Sequence, residues 1–475
     1  MTATPHAVNA AANARIVATI GPASSSPEVI RSLIEAGADA FRLNFSHGSA
    51  EWHLATAAAI RNAAGEKPVA IIADLQGPRI RIGAIPEPVT AREGEELSLA
   101  SGPAPGGSDA LPTTYDGLAG DVKPGDRILI DNGLVELRVL STNGGLTRGR
   151  VVTGGEIGAN KGINLPGVAV SAPALTAKDE QDAATAVELG ADYLALSFVR
   201  SRGDVARLRE VLDAHGADTP IVAKIERGEA VDRIEDIIAE SDGVMVARGD
   251  LGVELPQEKV PAIQKRIIAL ANAAGKPVVT ATEMLQSMIT SPRPTRAEAS
   301  DVANAILDGT DAVMLSGETA VGRYPVRAVE IMERITKEAE TIRREFRPPA
   351  RAEAPGDFAG AAADAACAAA QQLDARAIVV FTMSGRTARL VAQHRPGTSI
   401  IALTPDETTR RRLNLVWGVA PLLLPPVSGA DEMIAAADRL LKGRGALRAG
   451  DVVVIVGGAG ALTGATNFTK MHHVR

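Results

Sequence analysis

Three charged side chains in two short segments of the chain have the types and spacing of a reaction centre. Lys224 and Glu226 stand two residues apart at the end of an apolar run, and Asp250 follows a second such run. Residues two apart in a strand point to the same face, so Lys224 and Glu226 project together. Two carboxylates on neighbouring strands suit a Mg²⁺ ion that bridges to substrate oxygens, and a lysine beside them can stabilise an anion formed during reaction. The alternative is a structural network of ion pairs.

A second polar group is spread through residues 41–48, Phe-Arg-Leu-Asn-Phe-Ser-His-Gly. Arg42, Asn44 and Ser46 alternate with apolar residues and therefore share one face of a strand. A cation, an amide and a hydroxyl at the end of a strand suit a phosphate group or an ion. The alternative is a set of polar contacts at a rim.

Small polar residues close two later apolar runs. Thr280 and Thr282 are two residues apart and are expected to share a face, where a hydroxyl can hold a substrate carboxylate or relay a proton. Ser316 follows another apolar run and opens a Ser-Gly-Glu-Thr cluster. Taken singly, each is explained equally well as a structural polar contact.

These residues must be positioned by a repeating pattern of strands and helices that begins at Arg15. Short apolar runs alternate with stretches whose apolar residues recur at three and four positions, such as 26–36 and 260–273. Eight such units predict a (β/α)8 TIM barrel, whose active site lies at the carboxyl ends of its strands. The predicted barrel strands are residues 15–20, 40–45, 68–74, 192–198, 220–224, 243–247, 277–281 and 311–315.

The pattern changes between residues 83 and 170, where proline, glycine and short alternating runs predominate. Runs at 127–130 and 134–139 flank Asp-Asn-Gly, a hairpin signal. We predict a small β-barrel lid domain inserted after the third barrel strand, above the catalytic face. After the barrel, a basic connection leads to renewed α/β alternation, with strands predicted at 377–382, 399–403, 419–424 and 452–457. The predicted divisions are a tail (1–14), the TIM-barrel domain (15–83 and 171–337), the inserted lid (84–170), a linker (338–355) and a C-terminal α/β domain with a mostly parallel sheet (356–475).

Composition places the chain among ordinary globular proteins. Of its 475 residues, 45% are hydrophobic and 23% charged, which excludes a disordered or collagen-like chain. No apolar run approaches the roughly 20 residues of a membrane span, and the N-terminus lacks a secretory signal, so we expect a cytoplasmic protein without a membrane partner. The net charge of −7 argues against nucleic acid as a partner, and the single Cys367 excludes an intrachain disulfide.

Two common nucleotide-binding signatures are missing. Gly275 and Lys276 are followed by a proline, which excludes a P-loop. Glycines at 458, 460 and 464 have the spacing of a dinucleotide fingerprint, but too few residues follow for a helix, a second strand and the ribose-binding acid. We interpret this segment as a tight turn or an anion-binding loop.

Motifs along nearly the whole chain resemble those of the pyruvate kinase family, in the same order. The resemblance implies Mg²⁺-dependent transfer of a phosphoryl group from phosphoenolpyruvate to ADP, giving pyruvate and ATP in the last step of glycolysis. It also implies a barrel that binds phosphoenolpyruvate, a lid that closes over ADP, a regulatory C-terminal domain and a homotetramer. The matching segments are residues 18–22 (Ala-Thr-Ile-Gly-Pro), 42–48, 161–166 (Lys-Gly-Ile-Asn-Leu-Pro), 224–226 (Lys-Ile-Glu), 246–252 (Val-Ala-Arg-Gly-Asp-Leu-Gly), 292–298 and 314–319.

The resemblance assigns roles to the charged residues noted above. Glu226 and Asp250 would hold Mg²⁺ or Mn²⁺. Lys224 would stabilise the transferring phosphoryl group and the enolate, and Arg42 would bind the phosphate. The backbone of Gly249 and Asp250 would bind the substrate carboxylate. Fixed charge and a metal ion are what phosphoryl transfer asks of a protein.

The resemblance also assigns roles to the hydroxyl residues and to the positions that contact the nucleotide. Thr282 would also bind the carboxylate, and a water chain near Thr282 or Ser316 would protonate the enolate on carbon. His47 matches a nucleotide contact but is explained equally well as a capping or core histidine. The positions that match nucleotide contacts are Pro22, His47, Arg81 and Lys161.

One departure from the family pattern concerns a monovalent ion. Many members also need K⁺, and show Asp-Thr-Lys-Gly-Pro-Glu where residues 74–79 here read Asp-Leu-Gln-Gly-Pro-Arg. Relatives that work without K⁺ carry lysine at the last position, so we predict that Arg79 replaces the ion and that K⁺ is not required. A second departure, Glu283 in place of the usual glutamine, has no physical explanation. The positions that match K⁺ ligands are Asn44, Ser46, Asp74 and the carbonyl of Leu75.

A regulatory site is predicted in the C-terminal domain. The loop at 382–387 resembles the family's sugar-phosphate pocket, and its hydroxyls, glycine amide and arginine could form an anion nest. The final loop, 457–466, matches less well, so the sequence leaves open whether the effector is a sugar phosphate or a nucleotide. The predicted effector residues are Thr382, Ser384, Gly385, Arg386 and Thr387.

Two other functions stay open from the sequence. A barrel lyase or aldolase acting on pyruvate-like substrates would share the carboxylate site and enolate chemistry, but would not need the inserted lid or Lys161. A catalytically inactive binding protein should have lost Lys224, Glu226 or Asp250, and this chain retains all three.

Overall fold

A closed barrel of eight parallel strands forms the centre of the molecule. The computed structural model describes residues 12–105, 109–342, 357–427, 429–458 and 466–475. Most of the predicted tail and linker, and the middle of the final loop, lie outside the described residues. The first half of the barrel consists of β1 (Arg15–Ile20), α1 (Pro27–Ala36), β2 (Ala40–Asn44), α2 (Ala50–Ala64) and β3 (Ala70–Asp74).

The region inserted after β3 forms its own small β unit around a separate apolar cluster. Its elements are β4 (Val89–Ala91), β5 (Glu96–Ala100), β6 (Leu111–Pro112), α3 (Leu118–Asp121), β7 (Arg127–Ile130), β8 (Val135–Asn143), β9 (Leu146–Thr153), β10 (Gly155–Ile157) and β11 (Ile163–Asn164). Six strands form one sheet in the order β11-β7-β8-β9-β5-β6, and β10 pairs with β4. The predicted hairpin joins β7 to β8, because Asp131, Asn132 and Gly133 all adopt positive φ angles.

The barrel resumes after the insertion, with two short 3₁₀ helices at Gln257–Lys259 and Gln286–Ile289. Its elements are α4 (Ala177–Glu188), β12 (Tyr193–Leu196), α5 (Arg202–Ala214), β13 (Ile221–Ile225), α6 (Gly228–Asp232), α7 (Ile234–Glu240), β14 (Gly243–Ala247), α8 (Arg248–Glu254), α9 (Val260–Ala273), β15 (Val278–Ala281), α10 (Arg296–Asp308), β16 (Ala312–Leu315), α11 (Gly317–Ala320) and α12 (Pro325–Ile342). All eight predicted strands are present, and the predicted fold class is confirmed.

Alternation along the strands separates two apolar layers and also aims the polar side chains. In β2, Ala40 belongs to the cluster inside the barrel, whereas Phe41 and Leu43 pack outward under the helices. Because side chains alternate between the two faces of a strand, Arg42 and Asn44 point inward with Ala40. The polar residues of the strand ends therefore gather at the carboxyl mouth because the apolar residues between them are fixed in the outer core.

The C-terminal region contains a five-stranded sheet in the order β19-β18-β17-β20-β21. Its elements are α13 (Phe358–Gln372), β17 (Ala377–Phe381), α14 (Arg386–Gln393), β18 (Ser399–Thr404), α15 (Glu407–Leu413), β19 (Val419–Leu423), α16 (Ala430–Gly443), β20 (Val452–Gly458) and β21 (Thr466–His473). The last strand, β21, was not among the predicted strands; it returns antiparallel to β20. Among the described helices, none has the length and hydrophobicity to cross a membrane.

Arginines attach the C-terminal region to the amino-terminal face of the barrel. Arg411 Nε lies 2.9 Å from Asp192 Oδ1, just before β12, and Arg412 Nη2 lies 2.9 Å from Asp218 Oδ1, just before β13. Arg395 Nη1 lies 2.9 Å from Asp311 Oδ1, which precedes β16. The C-terminal region thus lies on the side of the barrel away from the catalytic mouth.

Candidate active site

Lys224 is the centre of the charged group in the barrel mouth. In β13 the side chain of Val222 belongs to the interior cluster, so Lys224 also points inward, and Glu226 follows directly after the strand. Lys224 Nζ lies 2.7 Å from Glu226 Oε1 and 3.2 Å from Asp74 Oδ1. All three side chains are buried. The structure therefore brings the predicted pair together and adds Asp74 to it.

Arg42 enters the same group from β2. Its Nε lies 2.5 Å from Asp74 Oδ2, and its Nη1 lies 3.4 Å from the Thr19 hydroxyl. Burial alone would raise the pKa of Asp74, but Arg42 and Lys224 outweigh it and hold the pKa below its usual range. Burial alone would lower the pKa of Lys224, but Asp74 and Glu226 raise it. Lys224 is therefore a fixed cation at neutral pH.

Asp250 faces this group from the first turn of α8, which begins directly after β14. Its side chain reaches solvent, yet the barrel walls remove much of the water around the carboxylate. This desolvation, with repulsion from Glu226, raises the pKa of Asp250 to about 7, against the opposing effect of Lys224. Two carboxylates that repel one another mark a place where an added cation is favourable.

The donor set fits a hard divalent metal ion. Among the residues that the structure describes, no three His, Cys, Asp or Glu side chains converge as a preformed ligand cluster. Glu226 and Asp250 supply two carboxylates, and Mg²⁺ is commonly held by one or two carboxylates together with waters and substrate oxygens. The residues present therefore fit the predicted metal.

Thr282 and Gly249 form a polar pair on the opposite wall of the mouth. Gly249 N donates to Thr282 Oγ1 at 2.7 Å, and Thr282 Oγ1 donates to Ala281 O at 2.7 Å. Both residues line a cleft of about 530 Å³ together with Asp250 and Ser316. Predicted carboxylate-binding groups thus share one cavity with a predicted metal ligand.

The backbone after β15 differs from the expected alternation. Thr282 and Glu283 have φ angles of 67° and 55°, in the left-handed region. The prediction that Thr280 and Thr282 share a face is therefore wrong. Val279 and Ala281 point into the barrel, so Thr280 is buried on the outer face of β15, where its hydroxyl lies 3.0 Å from that of Thr310. Arg248 stabilises the turn, because its Nη2 donates to Thr282 O at 2.9 Å and its Nη1 pairs with Asp301 Oδ2 at 2.6 Å.

Ser316 brings a hydroxyl to the same cleft. Its backbone N donates to Glu318 Oε2 at 2.8 Å, and the other oxygen of this buried carboxylate accepts from Leu285 N at 3.0 Å. Ser316 Oγ is buried and has no hydrogen-bond partner in the described part of the chain. A hydroxyl with unused hydrogen-bonding capacity beside Thr282 is suited to order a water molecule.

Cations form one rim of the mouth. The pKa of His47 is lowered by partial burial and by Arg79, Arg81 and Arg42. The His47 side chain is exposed, and the core histidine in this region is His53, which stacks on a phenylalanine and hydrogen-bonds to the His47 carbonyl. A rim of four neighbouring cationic or titratable groups suits a polyphosphate.

Arg79, one of the rim cations, also interacts with the acidic centre. Burial and Arg81 lower the pKa of Arg79, while Asp74 and Asp250 act in the opposite direction. Its guanidinium is therefore within electrostatic reach of both acids. In the described ranges it forms no ion pair with a carboxylate.

The oxygens predicted to bind K⁺ lie together beside Asp74. Asn44 Oδ1 accepts from Ser46 N at 3.2 Å, and Leu75 O accepts from Ser197 Oγ at 2.8 Å. Asp74 accepts from Arg42 and Lys224, as described above. The oxygens of Asn44, Asp74 and Leu75 therefore already accept a hydrogen bond or ion pair from the protein.

The lid places its hairpin near the mouth. Asn132, at the tip, lines the same cleft as Gly249 and Asp250. Lys161 Nζ lies 2.7 Å from Asp131 Oδ2, so the predicted nucleotide contact is paired within the lid. Pro22 is exposed just beyond the end of β1.

Two contributing residues were missed by the sequence reasoning. Ser197 Oγ accepts from Lys224 Nζ at 2.7 Å and so fixes the ammonium group. Phe198 N donates to Glu226 Oε2 at 2.9 Å. Ser197 lies near the carboxyl end of the predicted strand 192–198, and that signal, a polar residue near the carboxyl end of an apolar barrel strand, could have identified it.

The predicted effector loop precedes α14. Gly385 has a φ angle of 81° and donates its N–H to Thr382 Oγ1 at 2.9 Å. The hydroxyls of Thr387 and Thr466 lie 2.6 Å apart, so the loop contacts the start of the last strand. Arg386 pairs with Asp357 at 3.3 Å, and residues 459–465 of the final loop lie outside the described residues.

A barrel with an inserted β unit, and with carboxylates, a buried lysine and a cationic rim at its strand ends, is typical of enzymes that act on phosphorylated substrates. Two family models match the chain, "Pyruvate kinase, barrel domain" over residues 11–329 and "Pyruvate kinase, alpha/beta domain" over residues 360–472. The chain belongs to the pyruvate kinase family, and it is an enzyme of the kinase class.

Individual pyruvate kinases are similar in sequence to this chain over nearly its full length. Pyruvate kinase from Corynebacterium glutamicum is 46% identical over 463 residues, covering 97% of this chain and 96% of the relative. Pyruvate kinase from Mycobacterium tuberculosis is 45% identical over 464 residues, covering 97% and 98%. The crystal structure of a pyruvate kinase from Cryptosporidium parvum superposes with a TM-score of 0.90 at 36% identity, covering 98% of this chain and 96% of that chain.

Proposed function

We propose that the chain transfers the phosphoryl group of phosphoenolpyruvate to ADP in a Mg²⁺- or Mn²⁺-dependent reaction that gives pyruvate and ATP. The observation that carries the proposal is the contact of Lys224 with both Asp74 and Glu226, with Arg42 and Asp250 beside it. A coupled assay that follows pyruvate formation tests it. Pyruvate should form only when phosphoenolpyruvate, ADP and Mg²⁺ are all present, and pyruvate formation without ADP would instead favour a lyase.

Each group has a separate part in this reaction. A divalent metal held by Glu226 and Asp250 would neutralise charge on the substrate oxygens. Arg42 binds the phosphate. Lys224 keeps a full positive charge next to the bridging oxygen, where negative charge develops as the oxygen–phosphorus bond breaks and a terminal oxygen of ADP forms the new bond.

The wall formed by Gly249 and Thr282 orients the other end of the substrate. Backbone N–H groups at the start of α8 and the Thr282 hydroxyl would donate to the carboxylate of phosphoenolpyruvate, in exchange for the bonds from Gly249 N to Thr282 Oγ1 and from Thr282 Oγ1 to Ala281 O. The enolate left after transfer takes a proton on its methylene carbon from a water ordered by Thr282 or Ser316. Ser316 Oγ supports this role, since it has no partner in the described residues.

The cationic rim binds the nucleotide. Arg81 and His47 face the phosphates of ADP, Pro22 lies beside the nucleoside, and Lys161 joins them when the lid closes. Such a closure requires Lys161 to exchange its contact with Asp131 for one with the nucleotide. Exclusion of water by the closed lid protects the transferring phosphoryl group from hydrolysis.

Ser197 is a positioning residue in this scheme, and its removal provides a test. We expect Ser197→Ala to lower kcat by about tenfold with little change in KM, because the Lys224 ammonium loses one of three contacts. Ser287→Ala, which removes a hydroxyl bonded to Glu298 away from the centre, is the matched control. Equal kcat values for Ser197→Ala and the wild type would remove Ser197 from the mechanism.

We further propose that Arg79 replaces a monovalent cation. Its guanidinium is near Asp74 without being ion-paired to a carboxylate in the described residues, and three of the oxygens that match K⁺ ligands, those of Asn44, Asp74 and Leu75, already accept from protein donors. A fixed cation there would stabilise the negative charge of the substrate and of the ADP phosphates, as K⁺ would.

The ion requirement gives a direct test. With tetramethylammonium as the only monovalent cation, the wild type should be fully active and adding K⁺ should have little effect. Arg79→Glu should lose activity and regain it on adding K⁺, by more than about tenfold, whereas Arg79→Lys should behave like the wild type. Strong K⁺ activation of the wild type would contradict this role of Arg79.

The oligomeric state, the cellular location and the regulation of this chain are inferred from its family. We propose a homotetramer that works in the cytoplasm and is regulated through the loop at residues 382–387. The positive φ of Gly385 and the adjoining hydroxyls support an anion nest at this loop. Sedimentation of the purified chain and activity measured with added sugar phosphates or AMP test these points.

A further inference from the structure

A buried ion pair joins the two segments that carry the proposed metal ligands. Arg227 follows Glu226 just after β13, and Glu254, the last residue of α8, stands one helical turn after Asp250. Arg227 Nη1 lies 3.3 Å from Glu254 Oε1, and both side chains are buried. The protein therefore connects these two segments next to the place where a metal ion would connect them.

The charges of the metal ligands act against this arrangement. Burial and repulsion from Glu226 raise the pKa of Asp250. Without a metal ion, that repulsion favours a larger distance between the end of β13 and α8. The Arg227–Glu254 pair acts in the opposite direction, because it holds the same two segments together. It can therefore keep the two carboxylates at a separation that a metal ion bridges.

Stability alone does not explain this ion pair. Burial raises the pKa of Glu254, and Arg227 and Asn164 oppose that effect, so the carboxylate depends on these partners. Buried ion pairs are often no more stabilising than well-packed apolar residues of similar volume. Positioning of the adjacent metal ligands is the better explanation for a pair at this place.

The ion pair also contacts the lid. The return segment, residues 165–176, connects the last lid strand, β11, to α4. Arg227 Nη2 donates to Val168 O of this segment at 3.3 Å. Asn164 Nδ2, at the end of β11, donates to Glu254 Oε1 at 3.5 Å. Each member of the pair thus binds one part of the chain that leads from the lid back to the barrel.

Arg200 provides a comparison within the same return segment. It follows β12, and its Nη2 donates to Ala172 O at 2.7 Å while its Nη1 donates to Val170 O. Neither of these contacts involves a segment that carries a proposed metal ligand. Arg200 therefore attaches the return segment to the barrel without joining β13 to α8.

We propose that Arg227 and Glu254 are positioning residues that hold Glu226 and Asp250 at the separation of a metal-binding pair and attach the lid to them. This inference rests on the proposed function, because it takes Glu226 and Asp250 as the metal ligands. A metal ion that fixes these ligands also fixes the adjoining ion pair, and through it the return segment. Metal binding and the position of the lid are therefore coupled.

Electron paramagnetic resonance of free Mn²⁺ with the full-length chain tests the positioning role. We expect the double variant Arg227→Met/Glu254→Gln to bind Mn²⁺ about tenfold more weakly than the wild type, although both proposed ligands remain. Arg200→Met is the matched control and should bind Mn²⁺ like the wild type. Equal affinity of the double variant and the wild type, or an equal loss in Arg200→Met, would overturn the proposal. A wild type that binds no Mn²⁺ would overturn the proposed metal site as well.

Hydrogen exchange of the return segment tests the coupling to the lid. In the wild type, saturating Mn²⁺ should slow exchange of the backbone amides at 165–172 by about fivefold or more. In the double variant Mn²⁺ should have little effect on these amides. In Arg200→Met their exchange should be faster without metal but should still slow when Mn²⁺ is added. No slowing in the wild type, or equal slowing in the double variant, would exclude the coupling.

Thermal unfolding of the same samples shows whether the double variant is folded. If it is not, the single variant Glu254→Gln takes its place, because it keeps the size of the side chain and removes only its charge. This variant should weaken Mn²⁺ binding by about threefold or more. Unchanged Mn²⁺ affinity in folded Glu254→Gln would then overturn the proposal.

Discussion

Lys224→Met is expected to lower kcat by about 10³-fold or more with a much smaller change in KM for phosphoenolpyruvate. The Lys224 side chain is buried, its ammonium group is held by Asp74, Glu226 and Ser197, and it keeps its proton because both carboxylates raise its pKa. It thus provides preorganised positive charge where the enolate oxygen forms. Methionine has a similar volume and no charge, so the expected loss is mainly electrostatic.

Stability must be separated from catalysis in this variant. Removing one member of a buried charge cluster can cost about 3–5 kcal/mol, because Asp74 and Glu226 lose their shared cation. Thermal unfolding should therefore be measured on the same samples. Lys265→Met, which removes an exposed lysine paired with Asp308, is the control and should retain full activity. A folded Lys224→Met with wild-type kcat would contradict the proposed role.

Removal of either proposed metal ligand is expected to have the second large effect. Asp250→Asn and Glu226→Gln should each weaken Mn²⁺ binding by about 100-fold or more and lower kcat at fixed Mg²⁺. Electron paramagnetic resonance of free Mn²⁺ gives the affinity without any dependence on turnover. Glu283→Gln, which changes an exposed acid of the same cleft to the family's usual residue, is the matched control and should bind Mn²⁺ as the wild type does.

The pH dependence of metal binding follows from the same geometry. Desolvation and Glu226 raise the pKa of Asp250 to about 7 in the metal-free centre, and a metal ion binds the ionised form. Affinity should therefore fall as the pH drops below about 7. Asp250→Asn should lose most of this dependence. An unchanged pH profile, or unchanged Mn²⁺ affinity, in that variant would exclude Asp250 as a ligand.

The barrel could be predicted from the sequence because its signals are local. Predicted strand 243–247 and predicted helix 260–273 match β14 and α9 residue for residue. Strand 192–198 was predicted too long, since Phe198 takes a positive φ angle to direct its N–H at Glu226. The last strand, β21, was missed because its residues are largely polar or exposed and are recognisable only through their pairing with β20.

The positions of site residues within the barrel strands could be predicted from strand alternation, whereas those in the turns after the strands could not. Arg42, Lys224 and Glu226 follow the alternation that places Ala40 and Val222 inside the barrel. Asp250 and Thr282 do not, because α8 begins at once after β14 and the turn after β15 is left-handed. Such conformations depend on contacts distant in sequence, here the bonds from Arg248 to the 282 carbonyl and to Asp301.

The central claim is that Lys224 and its carboxylates transfer a phosphoryl group between phosphoenolpyruvate and ADP. Phosphorus NMR of both substrates with Mg²⁺, free of K⁺, follows donor and acceptor in one sample. For the wild type we predict loss of the phosphoenolpyruvate signal matched one for one by ATP, and for folded Lys224→Met no detectable transfer over the same period. Loss of phosphoenolpyruvate without equivalent ATP, or equal rates in the two proteins, would contradict the claim.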